Sequence, residues 1–215
     1  MKKTILILLL IISFSTSYAQ INVVDTLELK NAYNELILNP KNEANQRRFF
    51  KAFPSNWDEY LYTYTYKVNK SDKARSDFDM YKVSHKHVAA FGELTEIPDS
   101  IYCAKLIKLA IGGSWDADVP NYLQDLLHQK MANKRTCIMT QIAKLRKGNQ
   151  FQFWQFYWSN IIESEILEEK FKTLTQLISN DFPEENDVMR DAFYYFYDSI
   201  DNPIPLPHSE LSIQK

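Results

Sequence analysis

Glycine and cysteine are scarce in this chain, with four glycines and two cysteines among 215 residues. So few glycines leave no room for a glycine-rich phosphate cradle or a many-turned β-barrel. Two cysteines exclude a disulfide-framework mini-domain and a four-cysteine zinc site. Neither sign of charge is in excess, since 25 Lys and Arg face 27 Asp and Glu for a net charge of −2. A dedicated nucleic-acid binder, which must neutralise phosphates, is excluded on that balance. No Gly-x-Ser-x-Gly elbow and no His-Glu-x-x-His zinc helix occurs.

What the chain does have is apolar content, 45% of its residues, which is enough to build a core. The N-terminus reads as an export signal. Lys2 and Lys3 supply the positive end, Ile5 to Phe14 the apolar run, and Ser17 and Ala19 the small residues that a signal peptidase requires. Residues 1–19 are therefore predicted to be removed, with cleavage between Ala19 and Gln20 and a periplasmic or secreted destination. The apolar run is too short to cross a hydrocarbon layer of roughly 30 Å, and no later run is long enough to do so. Stable membrane insertion after cleavage is not expected.

Beyond the signal, helix punctuation recurs. Asp25, Asn42 and Asn56 precede apolar stripes as N-caps, and Asn39-Pro40 and Pro54 stop the first two. Tyr60 to Tyr66 also fits a strand by its alternation, but no hairpin partner lies nearby and helix is the preferred reading. A helix from about Ser76 ends at Gly92, and Pro98 suits the first turn of the next. That next helix is apolar nearly all round through Ile101, Leu106, Ile107 and Leu109, and Gly112-Gly113 ends it. Ser114 or Asp116 is read as the cap of the following helix, with Asp118 complementing its dipole and Leu123, Leu126, Leu127 and Met131 as its stripe, and Ile138, Ile142 and Leu145 give one more stripe before Gly148. An aromatic stretch from Phe151 to Trp158, an amphipathic helix around Leu167 to Ile178 and a helix opening at Pro183 complete the set. The fold class is all-α, with about nine helices as an irregular bundle or as stacked, solenoid-like helical hairpins. Residues 20–202 form one helical domain, and 203–215, with three prolines, an extended tail.

Chemistry is sparse in this pattern. His85 and His87 would point roughly 200° apart on a helix and so cannot chelate one ion together. No metal and no cofactor is expected. Trp115, Asp116 and Asp118 follow the glycine pair and resemble the start of a calcium loop, but the later ligands of such a loop are missing. Trp154, Tyr157 and Trp158 are candidates for a stacking platform, because aromatic side chains offer large area at low entropy cost. These six are the candidate binding residues. No catalytic residue is assigned. Cys103 and Cys137 are the only pair able to form an intramolecular disulfide in an oxidising compartment. A basic cluster around Lys130, Lys134, Arg135 and Lys144 precedes an acidic one around Glu165, Glu168 and Glu184, a division able to steer a protein partner.

The segments Arg48-Phe49-Phe50-Lys51-Ala52-Phe53-Pro54, Trp115-Asp116-Ala117-Asp118 and Phe153-Trp154-Gln155-Phe156, behind a signal peptide, resemble a group of small exported all-helical Bacteroidota proteins without assigned activity. The resemblance implies a fold and carries no catalytic residue. The expectation is an exported, non-enzymatic binding protein of the bacterial envelope with a protein partner, for instance an immunity-type inhibitor of an envelope-acting effector. Two alternatives stay open. One is a hydrolase on peptidoglycan or glycan using Asp116 and Asp118, and the other is a structural helical module of an envelope assembly.

Overall fold

A computed structural model describes residues 24–65, 78–116, 118–159 and 164–201. The expected export signal with its cleavage point, the polar segment after Tyr66 and the expected tail from 203 lie outside these residues. Among the described residues there are nine helices and no strand. They are α1 (Thr26–Leu38), α2 (Glu43–Ala52), α3 (Trp57–Tyr64), α4 (Phe78–Gly92), α5 (Asp99–Ala110), α6 (Val119–Ile142), α7 (Lys147–Trp158), α8 (Ser164–Ile178) and α9 (Pro183–Asp201). None is long and apolar enough to cross a membrane.

The first three helices start where side chains replace missing backbone partners. Asp25 accepts from the N–H groups of Leu27 and Glu28, Asn42 from Asn45, and Asn56 from Glu59. Glu59 returns a carboxylate oxygen to the Ser55 N–H at 2.8 Å, closing the entry to α3 from both sides. The tyrosine run is helical because Tyr60 and Tyr64, one turn apart, are both fully buried while Tyr62 between them is not. A strand would have buried all three alternating rings on one face.

Helices meet neighbours that lie close in chain order. The α1–α2 pair leans on α4, and α3 packs against α4, α5 and α6. The long α6 lies along α5 and α4, while α7 pairs with α9. Together they form an all-α bundle with an aromatic interior: Phe53 stacks on Phe91 at 4.5 Å and Phe171 on Phe193 at 4.0 Å. Lys105 is mostly buried between α5 and α2, where its ammonium donates to the Phe50 and Phe53 carbonyls at the end of α2. Burial pulls its pKa down to about 8. Arg48 joins α1 to α2 through Glu28 and Glu35, but those carboxylates are open to water and the pairs add little stability.

Three expectations change here. The stripe through Leu123 and the stripe through Ile138 form one helix of 24 residues, bent at Lys134, where φ −128° and ψ 27° break the regular turn. Gly148 does not end a helix but sits in the first turn of α7. Asp118, rather than Ser114 or Asp116, occupies the N-cap of α6, and its side chain makes no capping bond. The backbone there, at φ −109° and ψ −99°, is not the extended conformation from which a side chain reaches back to the first turn.

Gly113 marks the tightest approach in the fold. A Cβ at this position would lie 2.6 Å from Cδ2 of the buried Phe156 ring. Gly112 beside it takes φ +77°, the left-handed turn that ends α5. Gly113→Ala is expected to cost about 1–3 kcal/mol, the range for overpacking against a ring that has no room to move. Urea unfolding of the variant checks it, and an unchanged midpoint would show that Phe156 can yield.

Candidate functional site

The aromatic stretch of α7 divides by depth. Trp154 is fully buried, packed edge-on against Phe153 and Tyr157 and stacked on Trp158. Trp158 is 2% exposed and meets Phe171 of α8 and Phe193 of α9 edge-on. Tyr157, on the α6 side, packs its ring 4.4 Å from that of His128. The end of α7 is tied to α6 by Gln124, whose side-chain amide donates to the Phe156 and Ser159 carbonyls. These are carbonyls a helix C-terminus would otherwise leave unpaired.

Because α8 packs mainly on α9, a cleft of about 320 Å³ opens between α8 and α6. Tyr157 and Trp158 line it, with Met131, Leu167, Leu174 and Leu177 giving it a mainly apolar surface. On α6 the lining residues His128, Met131, Ala132 and Arg135 recur at the three- and four-residue spacing of one helix face. Lys170 and Glu169 stand on the α8 rim. The volume falls at the lower end of the range typical of small-molecule sites, roughly 300–1,000 Å³.

The polar groups of the cleft differ in role. His128 Nε2 lies 3.0 Å from the Tyr157 carbonyl oxygen. Burial, aided by the charge of Lys170, lowers the pKa of His128, so the ring is neutral near pH 7 and its Nε2–H donates to that carbonyl. Burial raises the Tyr157 hydroxyl well above its ordinary range, so it too stays neutral. The cations facing the cleft are therefore Arg135 and Lys170. The salt bridges of the described residues include neither. Trp158 adds an indole N–H that is buried without an acceptor.

The six candidates named from the sequence thus separate. Tyr157 and Trp158 line the cleft, whereas Trp154 lies behind them in the core. Trp115, Asp116 and Asp118 sit in the turn before α6 and are not among the residues of the cleft. There Asp118 Oδ2 accepts the Tyr81 hydroxyl at 2.7 Å, and that bond, with the nearby carboxylate charges, raises the tyrosine's pKa. Sequence reasoning passed over His128 and Thr173 altogether and read Met131, Leu167 and Leu174 only as core stripe. Their three- and four-residue recurrence was visible, but which two stripes would face each other across a gap was not.

Cys103 and Cys137, the pair able to form an intramolecular disulfide, are free thiols here. Burial and a hydrogen bond with Cys137 hold the Cys103 thiol far above its ordinary pKa. His87 points into the core, and among the described residues no three His, Cys, Asp or Glu gather as metal ligands. In comparisons with protein-family models, curated proteins and solved structures, nothing matches this chain. The site is therefore defined by its geometry: a helical bundle with an apolar cleft rimmed by two cations that form no salt bridge among the described residues.

Proposed function

We propose that this chain is an exported, non-enzymatic binding protein of the bacterial envelope that holds a guest in the cleft between α6 and α8. The observation that carries the reading is the cleft itself. Its walls are aromatic and aliphatic, its two cations form no salt bridge among the described residues, and its one imidazole is spent on a backbone carbonyl. Such a surface gains free energy by losing water to a guest, and the few polar groups orient what binds. Export rests on the Lys2-Lys3, Ile5–Phe14 and Ala19 pattern of the sequence. If the guest is a segment of an envelope-acting effector, the protein is an inhibitor of the immunity type.

The test fills the cleft without touching the core. Ala132 is an exposed residue on the α6 wall, so Ala132→Trp places a large ring in the opening. Wild type and variant are purified without denaturation from a producing cell, and what stays bound is identified by mass. A guest retained by the wild type and lost by the variant is the expected result. A guest retained equally by both would move the binding surface elsewhere and overturn the reading.

A further inference from the structure

Resting on that reading, we infer that the guest is a small amphipathic carboxylate, with an acyl or aryl body of about ten non-hydrogen atoms and one negative charge. Size comes first. Taking the roughly 30 Å³ that a water molecule fills in the liquid as the space for one non-hydrogen atom, the 320 Å³ cleft takes a body of that size. A whole helix of a partner protein would leave most of its face outside.

Polarity comes next. Met131, Leu167, Leu174 and Leu177 give the body an aliphatic surface, and the rings of Tyr157 and Trp158 offer flat ones. A guest polar throughout would strip water from its own groups without replacement.

Charge decides the head. Arg135 and Lys170 stand on opposite walls, Glu169 is the one carboxylate among the lining residues, and His128 is neutral. The cleft therefore carries one net positive charge. A monoanion is matched by it, and a cation is opposed by Arg135 and Lys170. Arginine offers a fork of N–H donors that fits the two oxygens of a carboxylate, and the lysine ammonium adds a point charge.

The experiment uses three probes with one decyl chain: decanoate, decanol and decylammonium. Binding is followed in ¹H–¹⁵N spectra of the mature chain, with the indole proton of Trp158 as the local reporter. Decanoate is expected to shift that proton and to bind at least tenfold more tightly than the other two. The double variant Arg135→Gln, Lys170→Gln, both at solvent-accessible positions, should bring decanoate to the level of decanol and leave decanol unchanged. Equal binding of decylammonium, or a double variant that still prefers decanoate, overturns the inference. Should decanoate fail while Ala132→Trp still abolishes retention of the cellular guest, the cleft reading stands and the carboxylate class falls. Should Ala132→Trp change neither guest retention nor probe binding, both fall together.

Discussion

Trp154→Ala is expected to lower the stability of the protein by about 3–5 kcal/mol, the cost of emptying a large aromatic site that neighbours cannot refill. Trp154 is fully buried, and its ring packs against those of Phe153, Tyr157 and Trp158. Its indole nitrogen has no hydrogen-bond partner, so the side chain contributes through volume and apolar area rather than through a polar contact. Trp154→Phe should accordingly keep most of the stability, since the lost nitrogen was bonded to nothing. Chemical denaturation of the two variants separates these terms. A loss below about 1 kcal/mol for alanine would mean that the rings close over the gap, against the close packing of protein interiors. The alanine variant should also disturb the cleft, because Tyr157 and Trp158 stand directly on Trp154.

Acid is expected to loosen the protein through His87, well before its carboxylates titrate. The His87 side chain is 1% exposed, with Nδ1 lying 3.0 Å from the Tyr64 hydroxyl and the Tyr33 ring centroid 4.4 Å away. Burial first, then the charges of Lys30 and His85, lowers its pKa from 6.5 to about 4. Between those values the unfolded chain binds a proton that the folded one refuses, so stability rises with pH and falls as pH drops. The full loss on reaching pH 4 is about 3 kcal/mol, or roughly 6–12 °C in melting temperature for a chain of this size. His128, whose pKa is also lowered, acts in the same direction. The carboxylates with depressed pKa, Glu28 and Glu168, contribute only below about pH 4.5. Melting curves from pH 7 to 4.5 therefore isolate the histidines, and His87→Gln should flatten most of the slope. A wild-type melting temperature that does not move in this window would contradict a neutral, desolvated His87.

The helices were legible in the sequence because their signals are local. Asp25, Asn42 and Asn56 cap the first three helices as the residue types dictate, and most of the α5 and α8 stripes become buried, although Ile101 and Ile166 at their starts stay exposed. The contested tyrosine run was decided by packing, since Tyr60 and Tyr64 would share a face on a helix or a strand, and it is the unburied Tyr62 between them that marks the helix. Where a local signal failed, a distant contact had overruled it. Asp118 holds the N-cap of α6 but turns to the Tyr81 hydroxyl, 37 positions earlier in the chain. Two stripes fused into one bent α6 although no proline or glycine marks the bend at Lys134, whose ammonium reaches Asp99 of α5 at 2.6 Å.

Sequence alone therefore determined the all-α class and the starts of the first three helices, because each depends on residues within a turn or two of one another. Tertiary structure alone decided the cleft. His128, Met131 and Arg135 on α6 and Leu167, Lys170 and Leu174 on α8 belong to two ordinary amphipathic patterns. They line one cavity only because α8 rests on α9 and leaves α6 partly uncovered. The same packing assigned Trp154 to the core and Trp158 to the cleft wall, a distinction that four residues of spacing on one helix face cannot make.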